Sequence, residues 1–155
     1  MTVAELLIKC LEEEGVQYIF GVPGEENLDF MDAVLESKIT FIVTRHETGA
    51  AFMAGMIGRL TGKPGVCLST LGPGATNMMT GVADANMNRS PLIAITAQAG
   101  LDRQHKESHQ MYNLIEMYRP VTKWNASIRS REITPEVVRK AFDIATSEKP
   151  GATHI

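Results

Sequence analysis

Thr40-Phe41-Ile42-Val43-Thr44-Arg45-His46-Glu47-Thr48-Gly49-Ala50-Ala51-Phe52-Met53-Ala54-Gly55 reads as a strand that turns directly into a helix. The β-branched run stops at a charged trio and continues as a segment rich in Ala, Gly and Met. Glu47 therefore sits at the carboxyl end of a predicted parallel strand, the edge at which open α/β sheets bind ligands. A carboxyl group held there among apolar side chains is disfavoured in its charged form and can serve as an acid near neutral pH. A plainer reading stands beside it: an acid in the first turn of a helix suits the macrodipole, and such acids are common.

Working outward, the same alternation recurs on both sides. Thr2-Val3-Ala4-Glu5 has the spacing of a capping box, and Val3, Leu6, Leu7, Cys10 and Leu11 supply an apolar helical face that Gly15 ends. Residues 16–20 form a short buried strand, closed by the turn Gly21-Val22-Pro23-Gly24. A helix over residues 27–35 is expected to turn Leu28, Met31, Val34 and Leu35 inward, and a further helix covers residues 46–60. Residues 66–70 and 91–96 read as strands, separated by Leu71-Gly72-Pro73-Gly74-Ala75-Thr76-Asn77 and a helix to about Met87. Residues 98–110 are polar and read as a long loop at the ligand-binding edge. A short helix over 111–117 and a marginal strand over 121–128 follow, then a helix with Thr134 as N-cap and Pro135 at its first position. Its inward residues are expected to be Val137, Val138, Ala141, Ile144 and Ala145, and residues 151–155 begin a last strand. Strand and helix alternating through short connections predict an α/β fold: a doubly wound, mostly parallel sheet with helices on both faces.

Bulk properties narrow the class. The 155 residues suit one domain, and 44% hydrophobic with 21% charged residues is a globular composition. A net charge of -3 gives no electrostatic footprint for nucleic acid, and no apolar run reaches membrane-spanning length, so neither is expected as a partner. Cys10 and Cys67, far apart and within apolar segments, read as reduced thiols and fit a cytoplasmic setting.

The candidate chemistry gathers at strand ends. Both Gly/Pro turns follow strands and precede helices, where glycine lets backbone approach a ligand. Neither carries the Lys-Ser or Lys-Thr of a P-loop or a G-x-G-x-x-G run, and singly each is a plain turn. His46, His105, His109 and His154 lack paired ligand spacing, so no metal site is expected from this chain. The nine methionines at helical spacing read as core filler, and Ser69 lacks the nucleophile-elbow pattern.

Four motifs then occur in a telling order: Phe20-Gly21-Val22-Pro23-Gly24; Arg45-His46-Glu47 with Gly49-Ala50-Ala51-Phe52-Met53-Ala54; Thr61-Gly62-Lys63-Pro64-Gly65-Val66-Cys67-Leu68; and Gly72-Pro73-Gly74-Ala75-Thr76-Asn77. With Arg119-Pro120-Val121-Thr122-Lys123-Trp124 and Lys149-Pro150-Gly151-Ala152, the whole chain closely resembles the amino-terminal pyrimidine-binding domain of the thiamine-diphosphate enzymes of the acetolactate synthase and pyruvate oxidase group.

In such enzymes the cofactor is the reagent and the protein tunes it. The resemblance implies that Glu47 is the catalytic acid, hydrogen-bonding N1′ of the aminopyrimidine and promoting its imino tautomer. Pro23 and Gly24 would lie near the pyrimidine, and Thr70, Pro73, Gly74 and Asn77 would line the same edge. His109-Gln110 falls where the family places a loop pair over the reacting carbon, which makes Gln110 the second catalytic candidate. The implied reaction is decarboxylation of pyruvate and ligation to a second 2-oxo acid, as in branched-chain amino acid biosynthesis. Other 2-oxo acid decarboxylases or carboligases, sulfoacetaldehyde-processing relatives and a non-catalytic assembly module share the pattern.

Gly24-Glu25-Glu26-Asn27 stands where many biosynthetic members carry Gly-Gly-Ala, and the Gly-Asp-Gly…Asn-Asn diphosphate signature is absent. The resemblance therefore implies thiamine diphosphate with Mg²⁺ bound through a missing diphosphate domain, and FAD as an option carried by a missing middle domain. The expected partners are a small 2-oxo acid and either a second copy, in a homodimer or tetramer, or a separate diphosphate-domain chain. The 155 residues are expected to be a fragment or one subunit of a split enzyme, inactive alone.

Overall fold

The computed structural model describes residues 1–106 and 109–155. Among the described residues six strands form one sheet: β1 (Tyr18–Gly21), β2 (Thr40–Val43), β3 (Gly65–Ser69), β4 (Leu92–Thr96), β5 (Trp124–Asn125) and β6 (Ala152–His154). Every pairing is parallel and the order is β2-β1-β3-β4-β6-β5. The helices are α1 (Val3–Glu13), α2 (Leu28–Leu35), α3 (Glu47–Thr61), α4 (Pro73–Met87), α5 (Leu114–Tyr118) and α6 (Thr134–Thr146). The chain alternates as its sequence predicts, giving a parallel α/β sheet.

Strand alternation divides the interior into two cores. Val66, Leu68, Ile93 and Ile95 pack with Leu7, Ile8 and Leu11 of α1, Phe30 and Val34 of α2, and Val138, Ala141 and Phe142 of α6. Cys67, Leu92 and Ala94 point the other way, to Ala50, Ala51 and Ala54 of α3, Met78 and Val82 of α4, and Tyr118. The connection from β1 to β2 thus lies on one face, and those from β2 to β3 and β3 to β4 on the other. The strand order reverses between β1 and β3, so the crevice above their carboxyl ends is the topological switch point.

Small residues bring the second face close. An added Cβ at Gly58 would strike the Pro91 carbonyl, one at Gly65 the Ala54 carbonyl, and one at Gly81 would lie 2.6 Å from Ala51 Cβ. At these glycines helix α3 comes directly against the backbone of β3 and of Pro91 before β4, and against α4.

Several local expectations need correction. In α1 the capping box forms as read, Glu5 N to Thr2 Oγ1 at 3.1 Å and Thr2 N to Glu5 Oε2 at 2.8 Å. Its inward face is rotated, however, burying Ile8 and leaving Val3 39% exposed. Strand β1 starts at Tyr18, not residue 16. A 3₁₀ turn over Glu25–Asn27 shifts α2, so Leu28 and Leu35 face outward while Phe30 and Ala33 are buried. Thr134 is the first helical residue of α6 and Ile133 its N-cap; the Thr134 hydroxyl donates back to the Ser130 carbonyl instead of capping. Phe142, not Ile144, is buried in α6. The strand expected over 121–128 shrinks to Trp124–Asn125 at the sheet edge. The loop expected over 98–110 carries turns where it is described, and residues 107–108 of it lie outside the described residues. Among the described residues no helix is long and apolar enough to cross a membrane.

Candidate functional site

Glu47 reaches the switch point because β2 is carried one residue past its end. The Thr44 amide donates to the Gly21 carbonyl at 2.8 Å, and the Thr44 hydroxyl to the His46 carbonyl at 3.1 Å. His46 is extended and caps α3, its Nδ1 accepting from the Thr48 amide at 3.2 Å. Glu47 is thus the first helical residue, and its carboxylate turns inward, only 8% exposed. The plainer reading holds as well, since Glu47 is the acid in the first turn of α3; its burial is what that reading does not account for.

The amide of Asn77 on α4 donates to Glu47 Oε2 at 3.1 Å, and the Thr48 hydroxyl donates to the Asn77 carbonyl at 2.5 Å. Two hydrogen bonds therefore join the starts of α3 and α4. Among the described residues, Oε1 accepts no hydrogen bond; it faces Gly74, where an added Cβ would lie 3.3 Å from it. The same Cβ would lie 2.9 Å from Thr70 Cγ2, and one on Gly24 would lie 2.6 Å from Thr70 Cβ. Thr70 is the shared wall between the loop after β1 and the start of α4. Gly24, Thr70, Gly74, Asn77 and Glu47 are thus brought together, with the exposed Pro23 and Pro73 beside them in chain.

Gln110 lies elsewhere on this edge. Its backbone and Cβ pack over Gly72, where an added Cβ would be 2.5 Å from the Gln110 carbonyl oxygen and 2.7 Å from its Cβ. Both residues have positive φ, 59° at Gly72 and 58° at Gln110, a conformation that suits glycine and is uncommon for glutamine. No hydrogen bond joins Gln110 to Glu47 among the described residues.

Sequence reasoning missed several contributors. Thr48 was legible only as helix interior, yet it locks Asn77. Asn27, 2% exposed, holds the backbone of the first Gly/Pro turn. Behind the site, Tyr118 donates to the Ala75 carbonyl at 2.6 Å and stacks on His154, ring centroids 4.1 Å apart. Burial first, then the nearby Cys67 and Glu47, push the phenol up, so it remains a neutral donor. Burial also pushes the Cys67 thiol up, making it inert packing. His154 is held neutral by burial, at about 3, with Nε2 2.8 Å from Thr96 Oγ1. No group of His, Cys, Asp and Glu suited to a metal occurs among the described residues.

Residues 1–117 match the family described as the thiamine pyrophosphate enzyme N-terminal TPP-binding domain. The chain is 45% identical over 152 residues to a protein of Methanocaldococcus jannaschii named "Probable acetolactate synthase large subunit", covering 98% of this chain and 26% of that one. It is 40% identical over 152 residues to the acetolactate synthase of Bacillus subtilis, covering 98% and 27% of the two chains. To the catabolic acetolactate synthase of Raoultella terrigena it is 39% identical over 152 residues, with the same coverage of 98% and 27%. The chain spans roughly a quarter of the length of these relatives.

Proposed function

The chain belongs to the thiamine pyrophosphate enzymes, through their N-terminal TPP-binding domain, and from that premise we propose that it is the pyrimidine-binding domain of an acetolactate synthase-like enzyme. The observation that carries this reading is the Glu47 carboxylate: buried, at a strand end of the switch point, with one oxygen held by Asn77 and the other left to the crevice.

The residues present fit the aromatic half of thiamine diphosphate. Gly24 and Gly74 pack so closely on Thr70 that a Cβ at either would strike it, which draws the loop after β1 and the start of α4 together beside Glu47, and Glu47 Oε1 offers the polar atom a ring nitrogen needs. Glu47 would hold the ring, Asn77 would fix the orientation of its carboxylate, and Pro23, Gly24, Thr70, Pro73 and Gly74 would wall the site. When bound, the cofactor supplies a carbanion equivalent that adds to the carbonyl of a 2-oxo acid and lets carbon dioxide leave. The chain's own chemical task is narrower: to hold the Glu47 carboxyl group against the ring and keep water out. Gln110, exposed on the loop over Gly72, would reach toward the substrate side.

The diphosphate, its Mg²⁺ and any FAD would be held outside residues 1–155, by diphosphate-binding and middle domains. We assign the other wall of the crevice to a second chain. The exposed seam Phe52, Met53, Met56 and Leu60 along α3, from 45% to 76% exposed, supports that assembly, because it lies on the same helix that Glu47 begins and is apolar at helical spacing. A homodimer or tetramer in the cytoplasm satisfies it, as does a separate diphosphate-domain chain. The test is thiamine-diphosphate-dependent production of acetolactate from pyruvate by the assembled enzyme. Aldehyde release without acetolactate would assign a decarboxylase instead, and no turnover with any diphosphate-domain partner would assign an assembly module.

A further inference from the structure

The 3₁₀ turn Glu25–Asn27 makes contacts in two directions. Backward, Asn27 Oδ1 accepts from the Gly24 amide at 2.9 Å, its Nδ2 donates to the Val22 carbonyl at 3.4 Å, and its own amide donates to the Gly24 carbonyl at 3.2 Å. A buried amide with both ends engaged is costly to disturb, and this one encircles Pro23. Forward, Glu26 Oε1 accepts from Arg103 Nη2 at 2.7 Å. Arg103 belongs to the loop after β4, which is stiffened locally by Arg103 N to Gly100 O at 2.8 Å and Gln104 Nε2 to Ala99 O at 3.0 Å. Strands β1 and β4 are not neighbours; β3 lies between them. The ion pair therefore spans the carboxyl end of β3, above Thr70.

We propose that Glu25–Asn27 is a two-way clasp that sets the width of the crevice, with Asn27 as a positioning residue that presses the Pro23–Gly24 backbone against Thr70 and so shapes the seat of the aminopyrimidine. The inference rests on the cofactor reading above and adds to it a residue that touches no substrate. Glu26 and Arg103 fix the opposite lip. Because that pair is partly exposed, it weakens with salt, whereas the Asn27 contacts do not.

The clasp is testable in the full-length assembled protein by amide exchange and by titration with thiamine, which carries the pyrimidine without the diphosphate. In Asn27→Ala, which removes the side-chain hydrogen bonds to both Gly24 and Val22, the Gly24 amide should exchange at least about tenfold faster, and thiamine should bind about tenfold more weakly. Asn27→Asp, which keeps the oxygen that accepts from Gly24, should restore most of the Gly24 protection. Glu26→Gln should speed exchange over residues 99–104 at low salt and differ little from wild type at high salt. Unchanged Gly24 exchange in Asn27→Ala, or unchanged thiamine affinity, overturns the proposal. Should Asn27→Ala fail to fold, the Asn27→Asp and Glu26→Gln arms decide it on the same amides. Absence of thiamine-induced protection at the Glu47 and Gly74 amides of the wild-type assembly defeats the cofactor reading itself, while wild-type protection that Asn27→Ala leaves intact defeats the clasp alone.

Discussion

Asn77 and Glu47, the first on α4 and the second at the start of α3, are joined by a 3.1 Å hydrogen bond from the Asn77 amide to the carboxylate oxygen Oε2. The bond fixes which oxygen is engaged by Asn77 and which lies beside Gly74. It also makes the acid's geometry depend on how the two helices pack.

Replacing Glu47 by Gln should leave the fold nearly unchanged, since the amide oxygen can still accept from Asn77. In the assembled enzyme, turnover should fall by at least about 10²-fold, the scale of a lost acid–base group. Steady-state kinetics beside a thermal melt checks both halves; near-full activity would remove Glu47 from the mechanism.

Gly81→Ala should destabilise the chain by about 1–3 kcal/mol, the usual cost of overpacking. The new methyl would lie 2.6 Å from Ala51 Cβ and 3.1 Å from the Thr48 carbonyl oxygen, so α4 must move away from α3. Urea denaturation gives the stability, and loss of protection at the Asn77 amide would show that the site loosens with it.

His154 gives the chain a specific acid sensitivity. Burial lowers it to about 3 in the folded state, against 6.5 for the free side chain. The unfolded chain therefore takes up a proton that the folded one refuses. The stability from a neutral His154 is complete above about 6.5 and is lost as pH falls toward about 3, by at most about 1.4 kcal/mol per pH unit. Stability curves of wild type and His154→Gln should converge in shape above that window and diverge within it.

The chain by itself should bind thiamine diphosphate weakly, and Mg²⁺ should add little, because the described residues offer no cluster for the metal. Calorimetric titration at micromolar ligand is expected to show no saturable heat. Tight, magnesium-dependent binding would mean that the diphosphate seat lies within these residues.

Lys123 closes the end of α6, its Nζ donating to the carbonyls of Ile144, of Ser147 at 2.7 Å and of Glu148 at 3.3 Å. Lys123→Met should cost about 1 kcal/mol, the scale of a cationic helix C-terminal contact, and should fray residues 144–148 first. Amide exchange locates the fraying, and a change spread over the whole domain would point to another cause.

Much of this was legible along the chain. Strand–helix alternation gave the parallel sheet, and Glu47 could be placed at a strand end because β-branched residues stop at Thr44. The capping box at Thr2 and Glu5 formed as spaced. Facing was harder to read, because neighbouring apolar residues compete for one interior. Ile8 displaces Val3, and Phe30 displaces Leu28, once the turn at Glu25–Asn27 rotates α2. Thr134 has the chemistry of a cap, but Ser130 offers its hydroxyl a carbonyl and Ile133 takes the cap position. Thr48 and Asn27 carry no local signal at all, since their partners are set by tertiary packing or by a three-residue turn that composition does not mark.

The direct seating of α3 on bare backbone at Gly58 and Gly65 has a mechanical corollary. A helix cushioned by long side chains can slide as they change rotamer; one that rests on peptide planes has no such suspension. Glu47, at the tip of that rod, inherits its stiffness, so the carboxylate's aim answers in part to glycines outside the crevice, at sites that no comparison of crevice residues would inspect.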